Sequence, residues 1–270
     1  MVIGGDDRAR RLALRCQREG MEVATLGLSA GDEARSPEAL ADALALPYPF
    51  SARDGLVPCQ TGLRLRAQDA LARAAAGALV VAGDGLDAAS ATGVRLRRWD
   101  EDGAFLDANA DISAEGALYA VARLWHAPLR DARCLITGYG RLARALAQRL
   151  AALGARVLIA ARSADVRRNA CACCYDSCTL DALPEALPGV GLVLNTVPAT
   201  VIANESLALL PQRALLVELA SAPYGFSLDA ARAHGLRTLL LPGIPGRYAP
   251  QAAADALYTA LRRMLEGGAL

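Results

Sequence analysis

Apolar positions along the chain alternate between a period of two and a period of three to four, the signature of interleaved strands and helices. "MVIGG" opens on a short strand, and "DRARRLALRCQREG" places its leucines and alanines on one face of a helix that stops at Gly20. "MEVATLGL" predicts a second strand, followed by a loop containing "SPEALADAL" and the proline-rich "PYPF". "AQDALARAAAGALVVAGDG" predicts a helix and then a buried strand. Between Ala88 and Asp107, "GVRLRRW" and "AFLD" are expected as strands around the charged turn "DEDG". Ala117, Val121, Leu124 and Trp125 then recur at helical spacing, with Ser113 and Glu115 or Gly116 at the start, so a crossing helix is predicted over 113–127. Strands follow at "RCLIT", "ARVLIA", "GLVLNTVP", "ALLVELA" and "RTLLLPG", with helical segments between them. A last helix is expected over 249–270.

This order predicts an α/β protein of two domains: an N-terminal one over 1–112 and a second over 113–248, with the last helix packing back on the first domain. Composition narrows the chemistry. All 29 basic residues are arginine, so Schiff-base, phosphate-loop-lysine and Ser-Lys chemistry are excluded. His126 and His234 are the only histidines, and both read as structural. A net charge of +1 supplies no general attraction for nucleic acid or anionic lipid, and neither partner is expected. No uncharged apolar run reaches the roughly 18 residues of a membrane span. The N-terminus lacks the apolar core of a signal peptide, so a cytoplasmic protein is expected. Four of the seven cysteines fall in "CACCYDSC". That single arm is not the two-armed pattern of a zinc site, and it lies where a third nucleotide-fold strand would pack cysteine as a small hydrophobe. No metal site is predicted.

The most informative stretch is "LITGYGRLARALAQRLAALGARVLIAARS", residues 135–163. Gly138-Tyr139-Gly140-Arg141-Leu142-Ala143 matches the Gly-x-Gly-x-x-Gly/Ala fingerprint, and it follows an apolar strand and opens a helix, the context the motif requires. Gly138 permits the tight turn, Gly140 lets backbone amides approach a pyrophosphate, and Ala143 lets the helix sit close on the sheet. An acid holding a ribose hydroxyl is usual roughly twenty residues further on; here Arg162 and Ser163 stand instead. A guanidinium there can fork onto a 2′-phosphate, which points to NADP(H), or it can be a solvated strand-end arginine. Asn195, Thr196, Val197 and Pro198 end the next strand, and Ala220, Ser221, Pro242 and Gly243 end the two after it. All are expected at the cofactor edge of the sheet.

"VIGGDDR", "SAEGAL", "GYGRLARALAQRLAALGARVLIAARS", "LNTVP", "LVELASAPYG" and "LPGIPGRYAPQAAA" together resemble the dipicolinate synthase A-subunit family, in order and spacing over nearly the whole chain. The resemblance implies NADP-dependent oxidation of dihydrodipicolinate to dipicolinate in sporulating bacteria, in the mother-cell cytoplasm. It implies the flavoprotein subunit of dipicolinate synthase as partner and a homo- or hetero-oligomer. The implied architecture is a C-terminal Rossmann-type NADP-binding domain and a smaller flavodoxin-like N-terminal domain, arranged as in formate dehydrogenase. The chain departs from the family between about Arg35 and Arg66. It also departs at Tyr224-Gly225-Phe226, and at Gln251, where family members often carry lysine.

A dicarboxylate substrate needs fixed donors, and the candidates are Arg8, Ser113, Ser221 and Arg247. The resemblance supports Arg8 and Ser113. Asp6 either orients Arg8 or caps the first helix. Glu115 is the candidate general acid, or else a first-turn carboxylate favoured by the helix dipole. Asn109 either bonds substrate or serves a turn. A lysine-dependent dehydrogenase is disfavoured, whereas a non-catalytic NADP-binding subunit of a flavoprotein complex stays open.

Overall fold

Alternation places the apolar residues of each strand on two faces, and parallel pairing then builds two sheets covered on both sides. The computed structural model describes residues 1–29, 40–49, 55–83, 85–86 and 91–267. It divides into two compact units, residues 1–112 with 245–270, and residues 113–244. Among the described residues no helix is long and apolar enough to cross a membrane.

In the first unit the chain runs β1 (Val2–Ile3), α1 (Asp7–Arg18), β2 (Thr25–Leu26), β3 (Ala41–Ala45), β4 (Leu56–Val57), β5 (Leu65–Arg66), α2 (Ala67–Leu71), β6 (Ala74–Ala82) and β7 (Arg95–Arg98). A five-stranded sheet has the order β2-β1-β3-β6-β7, and every pair in it is parallel. Counted along the sheet, this is the 2-1-3-4-5 order of flavodoxin-like folds. β4 and β5 form a separate antiparallel pair.

Two strands of this sheet differ from the sequence expectation. Residues 41–45 are a strand rather than loop, although alanine is a poor strand former. Tertiary pairing decides it, with Ala45 beside Val2 and Leu44 beside Val80. Leu44 packs with Ile3 and Val80 on one face, and Ala45 with Val2 and Leu79 on the other. Residues 36–39 of "SPEALADAL", like Phe50 of "PYPF", lie outside the described residues. "MEVATLGL" supplies only Thr25–Leu26 as strand.

The crossing helix α3 spans Gly103–Ala122, so it starts ten residues before the expected 113 and takes in "AFLD", which is helix rather than strand. The start is fixed by Asp102, which accepts a hydrogen bond from the Phe105 amide at 2.8 Å. Phe105 in turn packs edge-on against Tyr48 and beside Trp99.

The second unit runs β8 (Arg133–Thr137), α4 (Arg141–Ala152), β9 (Arg156–Ala160), α5 (Ala164–Ala172), β10 (Asp176–Cys178), α6 (Leu183–Ala186), β11 (Leu192–Asn195), β12 (Leu215–Glu218), α7 (Leu228–Ala233) and β13 (Arg237–Leu240). Its six strands are parallel, in the order β10-β9-β8-β11-β12-β13. That is the 3-2-1-4-5-6 order of a Rossmann sheet. One face is covered by Ala143, Leu146, Ala147 and Leu150 of α4, the other by Leu207, Phe226 and Ala231. The cysteine cluster is not a buried strand: Cys171, Cys173 and Cys174 are exposed at and beyond the end of α5, and only Cys178 lies in β10.

The short α8 (Ile244–Tyr248) and the long α9 (Pro250–Glu266) close the chain. α9 packs on α1, burying Leu257, Tyr258 and Leu261 with Leu12, Ala13 and Cys16. Arg263 of α9 forks onto Asp102 at 2.8 and 2.9 Å, tying the last helix to the start of α3. Burial raises the Asp102 carboxyl, but the Phe105 amide and the Arg263 guanidinium outweigh it and hold the group below the ordinary aspartate value. Asp102→Ala is expected to cost about 1–2 kcal/mol in urea melts, most of it the lost cap, since the solvent-screened pair adds little. The Asp102 contribution is present above the unfolded aspartate value and is lost as pH falls through the lowered folded one.

Candidate functional site

Because all strands of the second sheet run the same way, their C-terminal ends gather at one edge. β8 delivers Gly138 to Leu142 there, β9 delivers Arg162 and Ser163, and β11 delivers Thr196 to Pro198. Ala220 and Ser221 follow β12, and Pro242 and Gly243 follow β13. The order reverses beside β8, with β9 on one side and β11 on the other, which opens a crevice at that edge.

The glycine turn is closely fitted. Gly138 has φ +80°, and a Cβ there would stand 2.9 Å from Val197 Cγ2 and 3.1 Å from Thr196 Oγ1. Only glycine satisfies both the conformation and the contact. Gly140 is the N-cap of α4, with no side chain capping the helix, and a Cβ added there would meet nothing within 4 Å. A helix start without a side-chain cap, and with open space beside its N-cap glycine, suits a diphosphate. Ala143 is fully buried, as close helix–sheet packing requires. Tyr139 packs edge-on against Tyr175 at 6.3 Å. Burial, then a hydrogen bond with Cys173, pushes its phenol above the ordinary tyrosine value. Arg141 is exposed, and Leu142 is half-buried against the core.

Arg162 and Ser163 are exposed at the end of β9. Ser163 caps α5, its Oγ accepting from the Val166 amide at 3.4 Å. The Arg162 carbonyl accepts from Arg167 Nη1 at 2.7 Å. The Arg162 guanidinium itself has no hydrogen-bond or ion-pair partner among the described residues. The nearest acid in sequence, Asp165, is paired with Arg168.

Asn195 requires a correction. Its motif makes it a cofactor contact at the edge of the sheet, and it does stand at that edge, but its side chain is fully buried and hydrogen-bonded within the protein. Thr137, Asn195 and Glu218 are register partners on three adjacent strands. Thr137 Oγ1 donates to Asn195 Oδ1, and Asn195 Nδ2 donates to Glu218 Oε1 at 2.6 Å and to the Val197 carbonyl at 2.9 Å. Thr196 Oγ1 is also spent, donating to the Thr137 carbonyl at 2.7 Å. Glu218, which no sequence motif singles out, is the hub: it accepts from the Ala220 and Gly225 amides, each at 2.9 Å. Burial raises the Glu218 carboxyl above the ordinary glutamate value, against these three N–H donors, which lower it. The signal available in sequence was a lone acid in the otherwise apolar "ALLVELA". Gly225, within the divergent Tyr224-Gly225-Phe226 turn, lies so close to Asn195 that an added Cβ would stand 2.2 Å from its Cγ. Ala220 is half-buried, while Ser221, Pro242 and Gly243 are exposed, Gly243 at φ +62°.

In the first unit Asp6 both caps α1 and orients Arg8. Its Oδ1 accepts from the Arg8 amide at 3.0 Å, and its carboxylate is forked by Arg8 Nε and Nη2 at 2.8–3.0 Å. Arg8 is buried, and its Nη1 bonds nothing among the described residues. Gly246 of α8 packs on the pair, since a Cβ there would lie 2.5 Å from Asp6 Oδ2. Gln251 bonds Arg11 at 3.3 Å, and Arg247 is exposed on α8.

Ser113 and Glu115 lie in the interior of α3, not at its start, so the first-turn dipole account of Glu115 falls. Ser113 is buried, whereas Glu115 is 57% exposed and paired with Arg149 of α4 at 3.2 Å. Asn109 is a half-buried helical residue of α3 rather than a turn residue. His126 is exposed, and His234 is the C-cap of α7. Among the described residues no group of His, Cys, Asp and Glu is arranged to hold a metal ion.

Residues 108–224 match the family model of the D-isomer specific 2-hydroxyacid dehydrogenase NAD binding domain. The A-subunit of dipicolinate synthase from Bacillus subtilis (strain 168) is 27% identical over 157 residues, which are 58% of this chain and 53% of that protein. The sequence match thus spans about half the length of that relative. The crystal structure of the dipicolinate synthase A-subunit from Bacillus halodurans superposes with a TM-score of 0.85 at 24% identity, covering 98% of this chain and 96% of that one. A D-isomer specific 2-hydroxyacid dehydrogenase from Xanthobacter autotrophicus Py2, solved in complex with NADPH and MES, gives a TM-score of 0.54 at 19% identity, covering 99% of this chain and 96% of that one. The second unit therefore resembles, over most of its length, a nucleotide-binding domain of the dehydrogenase type, and the chain has a mixed α/β fold with parallel sheets. The resemblance read from the motifs holds: the chain is related in sequence to the A-subunit of dipicolinate synthase and shares its fold.

Proposed function

We propose that this relative of the dipicolinate synthase A-subunit oxidises dihydrodipicolinate to dipicolinate with NADP+. The observation that carries the cofactor choice is the Arg162 guanidinium, exposed and without a partner among the described residues, where an NAD-selective fold places an acid. The substrate rests on the motif resemblance and on the named relatives. NADP+ would supply the hydride acceptor. The chain's own residues do the positioning. The amides at the start of α4 hold the diphosphate, Arg162 and Ser163 the 2′-phosphate, and the loops after β11, β12 and β13 the rest of the cofactor.

Arg8, oriented by Asp6, would offer its free edge to a substrate carboxylate. Loss of a hydride and a ring proton leaves an aromatic pyridine, so positioning outweighs acid–base catalysis in this reaction. Glu115, exposed and held by Arg149, is not needed as an acid in this reading. The flavoprotein subunit of dipicolinate synthase is the proposed partner.

A coupled assay tests the reading. Dihydrodipicolinate is generated enzymatically, the protein and NADP+ are added, and NADPH and dipicolinate are followed together. The expected result is one NADPH per dipicolinate. The scarcity of acid–base groups, with no lysine and only two histidines in the chain, favours a second reading, a non-catalytic NADP-binding subunit. NADPH binding without product, with the flavoprotein present, would select that second reading.

A further inference from the structure

Three of the six strands of the second sheet begin with arginine, and parallel pairing collects these residues at the edge opposite the glycine turn. Arg133 opens β8, Arg156 opens β9, Arg237 opens β13, and Arg213 stands just before β12. Register sets Arg133 directly beside Arg156. With Arg130 they line a cavity of about 720 Å³ that contains one carboxylate, Asp131. This edge lies a strand's length from the crevice, about 16 Å for five residues.

Four of the five guanidiniums are not neutralised by a carboxylate among the described residues. Arg133 donates to the Pro188 and Ala186 carbonyls at 2.8 and 3.4 Å, and Arg237 to the Leu124 and Arg213 carbonyls at 2.9 and 2.8 Å. Carbonyl bonds fix these planes without cancelling their charge. Arg156 is paired, with Asp131 at 3.3 Å, and that pair is exposed and weak. Arg130 and Arg213 have no ion-pair partner among the described residues. Trp125 forms part of the wall, packed so tightly on Gly191 that a Cβ there would lie 2.7 Å from its ring. A cavity of this size, fixed at two guanidiniums and open at two others, has the volume of a small-ligand site and the charge of an anion site.

We infer that this cavity is a second ligand site, for a small polyphosphate, either free or carried by a nucleotide. It is independent of the dehydrogenase reading. Arginine favours phosphate because its planar fork matches two phosphate oxygens at once. The clamped Arg133 and Arg237 form the fixed half of the site, and Arg130 and Arg213 close on the ligand.

The test is calorimetric titration of the whole chain with pyrophosphate and, separately, with ATP, and the same titration of the Arg162→Ala chain reports any binding at the glycine turn. Saturable one-to-one binding is expected. The double variant Arg130→Gln/Arg213→Gln should weaken it at least tenfold and leave NADP+ affinity unchanged, because neither guanidinium is tied into the fold. Stronger binding of ATP than of pyrophosphate would assign the nucleotide as source, and the reverse would assign free polyphosphate. No saturable binding, or binding that Arg162→Ala abolishes and the double variant spares, overturns the proposal.

Discussion

Glu218→Ala is expected to lower the stability of the second unit by about 3–5 kcal/mol and to weaken cofactor binding with it. The side chain is fully buried at the C-terminal end of β12. Its removal leaves three donors without an acceptor: Asn195 Nδ2 and the amides of Ala220 and Gly225. A buried donor left unpaired costs about 1–3 kcal/mol, reduced wherever water can enter. The Ala220 and Gly225 amides belong to the loop after β12, and Asn195 holds the Val197 carbonyl in the loop after β11. Loss of the hub therefore loosens two loops at the crevice edge, not a single contact. Urea denaturation should show a lower midpoint with an unchanged slope, and NADPH fluorescence titration a higher Kd. A variant as stable as the parent would show that the three donors find other acceptors, and the hub assignment would fail.

Glu218→Gln separates charge from hydrogen bonding. One amide oxygen replaces two carboxylate oxygens, so at least one donor meets an NH2 group, and a loss of about 1–3 kcal/mol is expected. The pH dependence should change as well. Burial raises the folded Glu218 value above the unfolded one, so between the two the native state holds a proton that the unfolded chain has lost. The Glu218 contribution is then full below the unfolded value and is lost as pH rises through the folded value. The Gln variant should lack that fall.

The second unit is the more legible in sequence because its signals are local. Its strands are continuous apolar runs, as buried parallel strands must be, and Gly138, Gly140 and Ala143 are fixed by backbone needs that few other residues meet. What stays hidden there depends on register. Nothing local says that Thr137, Asn195 and Glu218 stand side by side, so Asn195 reads as a ligand and Glu218 draws no notice. In the first unit the short strands carry little pattern. Ala41–Ala45 has the composition of a helix and becomes a strand only because β1 and β6 pair with it. The start of α3 is hidden for a different reason. "DEDG" has the look of a turn, and the capping role of Asp102 shows only once Arg263, far along the chain, is seen to fork onto it. A helix start placed at Ser113 also misplaces Glu115, whose partner Arg149 lies on another helix.

Arg162→Asp is expected to weaken NADPH binding about 10–150-fold while leaving NADH binding unchanged or tighter, so that the cofactor preference inverts. A hydrogen bond to a charged group contributes about 1.5–3 kcal/mol, and the introduced carboxylate adds repulsion toward a 2′-phosphate while offering an acceptor to a free 2′-hydroxyl. The position allows a clean comparison. Arg162 is exposed, and its guanidinium bonds nothing else among the described residues, so its loss should not disturb the sheet. The neighbouring Ser163 is less free, because its hydroxyl caps α5, and Ser163→Ala would mix stability with affinity. Fluorescence titration of both variants with NADPH and NADH, alongside urea melts, separates the two effects. Arg162→Asp should leave the melt unchanged and shift only the NADPH curve. Equal losses for both cofactors would take the 2′-phosphate role away from Arg162 and leave the NADP preference without a residue to carry it.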